Sequence, residues 1–505
     1  MKATATRSRA RELAAWLMVG LVCVAVAAAL TGEVQLPGPF ALRAELLVLG
    51  LVGAAAAPFL LTRWRTTFWV FLAWFMVEDL IRKYLGNDLR IYFIKDVLYV
   101  LLMAGLVVDA TMRGVWRAAA GTARFWLYGL IAWSVVMAVP MAVVDWRIPV
   151  VALKLDWQYV PLVAVGFVLA REAGGLERLL RGVVALSVPA SLIGIIQGSF
   201  GPAFLRPSVA TPMLESLELI RIGGVFQPSG PFVDPGRFAS MALVGYVASL
   251  ALLAVGYRRA STGWRAFILL GVGVTGAAVW VNASKTNVLV ALGLSIVAVF
   301  APSFAERRPA TVRAIATMGV IAIAGVVVFA LLPEISSDRV AYLQRTLDPA
   351  ASTNEWSFRF SAWEDNLSRG IEAGGFIGAG TGASSLGLQY LGEIDTGVDA
   401  VEGGFAAVAQ QWGVVGLVLW LAWAVAWLGR QVGALRFARG QLVSGAGPII
   451  LGWMIYFLGV GFVQGFQGFQ NYYANAYFWM FSGVVFALPG AASGERGGDP
   501  RRAEP

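Results

Sequence analysis

Hydrophobic stretches of bilayer-spanning length recur along almost the whole chain, and they leave few folds open. A helix crosses the ~30 Å hydrocarbon core with about 17–25 apolar residues, and lipid offers its backbone no hydrogen-bond partners. About 14 such stretches can be read: Leu13–Leu30, Ala44–Leu61, Thr67–Ile81, Ile91–Val108, Trp126–Val144, Val150–Ala170, Leu179–Ser199, Gly236–Gly256, Trp264–Val281, Asn287–Pro302, Val312–Leu332, Glu402–Leu428, Gly447–Gln464 and Tyr473–Pro489. The third is short and charged at its end. A soluble core of 505 residues would need far more surface charge than 14%. The expected fold class is therefore an all-α polytopic membrane protein.

The polar residues gather in two loops, one from Phe200 to Asp234 and a longer one from about Pro333 to Val401. This divides the chain into 1–199, an N-terminal transmembrane bundle; 200–332, a central transmembrane region with the first polar loop; 333–401, the long loop; 402–489, the C-terminal helices; and 490–505, a Gly/Pro/charge-rich tail expected to be disordered.

The net charge of +9 does not point to nucleic acid, because the basic residues are spread over many short loops. They mark topology instead. With the N-terminus (Lys2, Arg7, Arg9, Arg11) cytoplasmic, alternate loops and the tail collect about 24 of the 39 Lys and Arg on the inside. Both termini are then expected in the cytoplasm, and both polar loops outside. The first span reads as a retained helix rather than a cleaved signal. The lone cysteine, Cys23, allows no disulfide or thiol–metal site within one chain. With no histidine, any proton acceptor must be a carboxylate, a lysine or a tyrosine.

Several constellations could carry chemistry. Arg221 and Arg237 flank a Gly/Pro-rich turn that opens a span, where backbone amides and guanidinium forks favour an anion; an ordinary re-entry loop with an interfacial arginine reads nearly as well. Lys285 is the one charge in the short turn NASKT and is either a phosphate ligand or a snorkelling anchor. Ser357 to Ile371 has amphipathic helical spacing, with Phe360, Trp363, Leu367 and Ile371 on one face and Arg359 at its edge. Such a helix can lie at the bilayer surface over a site, or merely cap the bundle. The GAGTG run at Gly378–Gly382 reads as a tight turn rather than a phosphate cradle. Glu402 stands at the mouth of the twelfth span, as a functional acid or a helix N-terminal one, with Asp395 and Asp399 nearby. Glu78, Asp79, Lys95, Asp96, Lys154 and Asp156 lie at membrane depth with opposite signs close together, which suggests mutual pairing. The turn GFQGFQNYYANAYF, with Tyr472 and Tyr473, suits either carbohydrate or an interfacial aromatic belt.

Taken in order, these motifs resemble those of the O-antigen polymerase/ligase family, bacterial integral-membrane glycosyltransferases acting on lipid-linked glycans. The resemblance rests on R-I-G-G-V-F from Arg221, D-P-G-R-F-A from Asp234, S-K-T at Ser284, Arg359 with Trp363, the Gly378–Gly382 run, and Glu402 followed by Q-W-G-V-V-G. It covers roughly Arg221 to Leu428. The run VEDLIRKYLGNDLRIYFIKDVL is similar to some exopolysaccharide polymerases of the group. The family's ligases carry a long-loop histidine that this chain lacks, which favours a polymerase. Lys285 stands where the family has arginine, keeping the charge but losing the fork.

The resemblance implies a GT-C-like fold in the bacterial inner membrane, working without metal or cofactor on undecaprenyl-pyrophosphate-linked repeat units. In that reading Arg221, Arg237, Lys285 and Arg359 bind the pyrophosphate, Glu402 is the base, and Trp363, Tyr472 and Tyr473 contact glycan or lipid. A flippase and a chain-length regulator would be partners. A ligase acting on a lipid or protein acceptor, and a polysaccharide transporter or flippase, are the alternatives.

Overall fold

In the computed structural model, residues 59–496 are described with gaps, chiefly 85–88, 206–220, 306–338, 345–348 and 389–398, and a scatter of single residues and pairs that includes Glu402. The expected spans Leu13–Leu30 and Val312–Leu332, and all but the end of Ala44–Leu61, lie outside the described residues. Among those described, seven helical segments are long and apolar enough to cross a membrane: Ala123–Val144, Arg147–Arg171, Gly175–Phe200, Pro235–Gly256, Thr262–Asn282, Gly404–Ala438 and Ala446–Val463. The chain is thus a largely helical, multi-pass membrane protein. A pair of two-residue strands, β1 (Arg221–Ile222) and β2 (Val225–Phe226), runs antiparallel with Arg221 opposite Phe226.

The chain forms two compact units, Met1–Phe75 with Leu89–Thr111, and Met76–Asp88 with Met112–Pro505. Helix α1 (Trp64–Tyr84) contributes to both, and α2 (Leu89–Val108) belongs to the first. Within that first unit Phe71 packs on Phe75 and Tyr99, and the Trp64 indole donates to Asp109 at 2.8 Å.

The second unit holds the remaining helices: α3 (Val115–Ala120), α4 (Ala123–Val136), α5 (Ala138–Val144), α6 (Arg147–Trp157), α7 (Leu162–Arg171), α8 (Gly175–Phe200), α9 (Pro235–Gly256), α10 (Thr262–Asn282), α11 (Lys285–Ala305), α12 (Pro349–Gly374), α13 (Gly404–Ala438), α14 (Ala446–Leu458), α15 (Val460–Gln464), α16 (Gln467–Gln470) and α17 (Tyr472–Arg496). Small residues let these helices approach closely, as packing in lipid requires. A Cβ on Gly166 of α7 would meet the carbonyl of Met480, and one on Gly483 of α17 that of Val163. Along one face of α13, Trp412, Trp420, Trp423 and Trp427 are fully buried. They pack on Phe462, Trp479 and Phe486, with ring centroids 4.5–5.6 Å apart, the offset and edge contacts that aromatic quadrupoles favour.

Two spans are interrupted. The stretch expected as one helix, Val150–Ala170, breaks after Trp157 and restarts at Leu162. Helix α13 breaks at Gly413, whose φ of 68° and ψ of −171° suit only glycine. At 35 residues, α13 is about 52 Å long, well beyond the hydrocarbon thickness. Gly413 lies 17 residues before Arg430, about 25 Å along the helix.

Helix α12 extends the expected Ser357–Ile371 helix at both ends and runs alongside the start of α13, in the same direction. Its contact face differs from the expected one. Gly370 lies against the backbone of Ala406, and Gly374 against that of Ala409 and Gln410. Phe360 is 64% exposed and Ile371 37%. Two glycines at helical spacing give a closer approach than the larger apolar side chains beside them, so α12 packs lengthwise on α13.

Candidate functional site

Four consecutive-turn charges at the end of α1, Glu78, Asp79, Arg82 and Lys83, are all buried. Arg82 is 3.1 Å from Asp79 and 4.0 Å from Glu78, at i,i+3 and i,i+4 spacing. The partner of both acids is thus Arg82, a residue outside the set expected to pair, and the cluster reaches further. Asp79 also accepts from the guanidinium of Arg237 at 2.8 Å and from the Val233 amide at 3.4 Å. Lys83 donates to the hydroxyl of Ser229 at 2.9 Å and the carbonyl of Gly230 at 3.0 Å.

These cations hold a turn that enters the bundle. Every residue from Gln227 to Val233 is buried, so each backbone group needs a partner. Gln197, near the end of α8, accepts from the Gly230 amide at 2.6 Å. Asn282, the last residue of α10, donates to the carbonyls of Pro228 and Pro235. Arg339 donates to the carbonyls of Val281 and Phe226. Asp234 then caps α9, accepting from the amides of Gly236 and Arg237, with Pro235 at the first helical position.

Of the residues expected to bind an anion, Arg237 and Lys285 share this neighbourhood. Arg237 starts α9, two residues after Pro235. Lys285 starts α11, three residues after Asn282, and is half-buried. The Arg237 guanidinium lies 5.0 Å from the ring centroid of Tyr472 and is 15% exposed, the only group of its ion-paired cluster with appreciable surface among those described. Arg221 opens β1, opposite Phe226, whose carbonyl Arg339 takes up. The side chains of Arg221 and Arg359 and the whole of Glu402 lie outside the described residues, so the expected meeting of Arg221, Lys285 and Arg359 falls there too. Trp363 is half-buried on α12. Tyr472 and Tyr473 are buried, Tyr473 against Phe232 and Tyr477. Among the described residues around the turn, four cations, Arg82, Lys83, Arg237 and Arg339, thus bond to the turn, to its flanking residues or to its carboxylates Glu78, Asp79 and Asp234, and Lys285 lies three residues beyond Asn282.

A second polar cluster seats the end of the long loop. The amides of Ala379 and Gly380 donate to the carbonyls of Gln410 and Gln411, while those of Val414 and Val415 donate back to Gly375 and Phe376. The run 374–383 therefore satisfies the backbone that the break at Gly413 exposes. Thr381 bonds to Met137 and Ser134, and accepts from the Trp412 indole at 2.9 Å. Gly380, Thr381 and Gly382 of the GAGTG run form a buried plug among α4, α5, α6 and α13, close to the Met141 and Ile148 side chains. Beside it, Trp157 stacks on Trp412, and Asp156 accepts from Gln470 at 2.8 Å. The expected pairing of Asp156 with Lys154 is not made. Two positions along a helix point about 200° apart. Gln470, Asn471 and Tyr472 link the two clusters, touching Asp156, Ser240 and Arg237 in turn. Both therefore lie at the same end of the bundle.

Sequence reasoning missed Gln197, Ser229, Arg339 and Ser385, and it gave no role to Asn282 and Gln470 within the turns NASKT and GFQGFQNYYANAYF. Of the missed four, Gln197, a polar residue ending an apolar span, carried a readable signal. No family model matches the chain, and no curated protein matches it.

Proposed function

We propose that the chain is an extracytoplasmic glycosyltransferase that polymerises lipid-linked oligosaccharide repeat units into a surface polysaccharide. It would span a bacterial inner membrane with about 14 helices, both termini cytoplasmic and the long loop outside, as the positive-inside count favours. The observation that carries the reading is a buried turn around which, among the described residues, cations outnumber carboxylates. Such a balance suits a diphosphate brought in on a lipid carrier.

The chemistry follows from the leaving group. A lipid pyrophosphate departs as a stable anion, so the aid it needs is electrostatic. Arg237 and Lys285, with Arg221 and Arg359, neutralise the charge that develops as the sugar–phosphate bond breaks. The acceptor hydroxyl attacks the anomeric carbon and loses its proton to a carboxylate, Glu402. Inversion at that carbon comes from the family resemblance. Glu402→Gln is expected to lower turnover about 100-fold or more while donor binding persists, measured with purified enzyme and lipid-linked repeats. Near-normal polymer from the variant would remove Glu402 as the base.

Topology has its own test. A cysteine at Ser352, in a chain whose Cys23 is replaced, should react with an impermeant thiol reagent in intact spheroplasts. Labelling only after lysis would put the long loop on the wrong side for this chemistry.

One observation favours a second reading. Interrupted spans such as α6–α7 and α13 also occur where transporters bind substrate. Deletion in the native strain separates the readings. Single lipid-linked units gathered in the outer leaflet indicate a lost polymerase, and in the inner leaflet a lost flippase. Full-length polymer left unattached indicates a ligase.

A further inference from the structure

We infer that Asp156 is the anionic ligand of a site for one small monovalent positive charge, Na⁺ or a proton, that fastens the long loop to the bundle. Asp156 lies in the last turn of α6 and is 0% exposed. Gln470 donates to one carboxylate oxygen, and the other has no hydrogen-bond partner among the described residues. This contrasts with Glu78 and Asp79 in the same protein, both of which sit beside Arg82. No cation pairs with Asp156 among the described residues. A lone buried carboxylate at membrane depth is costly unless something neutralises it.

The described groups around it are uncharged amides and a hydroxyl rather than cations. Asn475 of α17 donates its amide to the carbonyls of Leu155 and Asp156, and its own buried oxygen has no partner among the described residues. From the long loop, the Ser385 hydroxyl is 3.3–3.5 Å from the Gln470 amide. Among the described residues, Gln470 thus reaches the Asp156 carboxylate, Asn475 the backbone beside it and Ser385 the Gln470 amide, and none of the three is charged. Lys154 stands on the far side of α6. The interruption after Trp157 adds the negative end of the α6 dipole.

One carboxylate, uncharged amide and hydroxyl oxygens and a helix C-terminus match a hard monovalent cation, and a divalent ion would leave the buried site charged. Because Ser385 belongs to the loop segment that also plugs α13, occupancy would tie α6, α16, α17 and the loop into one unit. This holds whichever reaction the protein performs.

The test uses the full chain in nanodiscs, compared in NaCl and in choline chloride at constant ionic strength. With Na⁺ as occupant, the protein binds about one radiolabelled Na⁺ per chain and its unfolding midpoint rises saturably by a few degrees. With a proton as occupant, Na⁺ does neither, and the infrared spectrum at neutral pH carries a carboxylic-acid band that Asp156→Asn removes. Should that variant fail to fold, Asn475→Ala keeps the carboxylate. It should then weaken Na⁺ binding about tenfold or shift the acid band. No bound Na⁺, together with no acid band that either variant removes or shifts, overturns the proposal.

Discussion

Alanine at position 413 is expected to destabilise the protein by about 3 kcal/mol or more and to release the loop end from the bundle. Two effects combine. The backbone there has φ 68° and ψ −171°, a region closed to residues with a Cβ. A Cβ would also lie 2.4 Å from backbone atoms of Phe376 and Ile377, which belong to the plug that satisfies the break and cannot move aside as a flexible side chain could. Thermal unfolding in detergent measures the loss. Limited proteolysis locates it, because cleavage should appear between Gly374 and Ser385 before anywhere else in the bundle. A Gly413→Ala protein with wild-type stability and an uncut loop would show that α13 can close into a regular helix.

The second large effect is expected from Asp79→Ala. Asp79 touches both Arg82 and Arg237, and it receives the Val233 amide. Removing it takes away the nearest carboxylate of both guanidinium groups, leaving Arg82 only the longer contact to Glu78, and breaking a buried ion pair costs about 3–5 kcal/mol. Arg237 then loses the contact that fixes it at the start of α9, so anion binding should fall with stability. Asp79→Asn keeps the shape and one acceptor, and should lose less. Equal losses from the two substitutions would mean that shape rather than charge secures the turn.

Hydropathy read the straight spans closely because lipid fixes their length. The expected Gly236–Gly256 and Trp264–Val281 compare with α9 at Pro235–Gly256 and α10 at Thr262–Asn282. The breaks were not legible. Gly413 is one of 58 glycines, and only its dihedral angles set it apart. Helix α12 shows a related limit. Its contact residues, Gly370 and Gly374, carry no hydrophobic signal, so the sequence marks the apolar face of the helix but not the glycine face that packs on α13. The candidate site divides similarly. Arg237 and Lys285 stood out as charges beside spans. Asn282 and Arg339 bond to backbone carbonyls in and beside a turn, and the Ser229 hydroxyl within it accepts from Lys83; no local pattern reveals where that turn lies.

The seating of residues 374–383 against the break in α13 has a consequence for how the protein is made. The plug precedes Gly413 in the chain, so it leaves the ribosome before the helix it completes. A span carrying a broken hydrogen-bond ladder would be a poor substrate for insertion if its missing partners arrived later. Here the partners are already synthesised when α13 enters the membrane. The order of segments along the chain thereby works as an assembly schedule. A circular permutation that moved 374–383 behind α13 would keep every contact of the folded state, yet would ask the membrane to hold an unfinished helix.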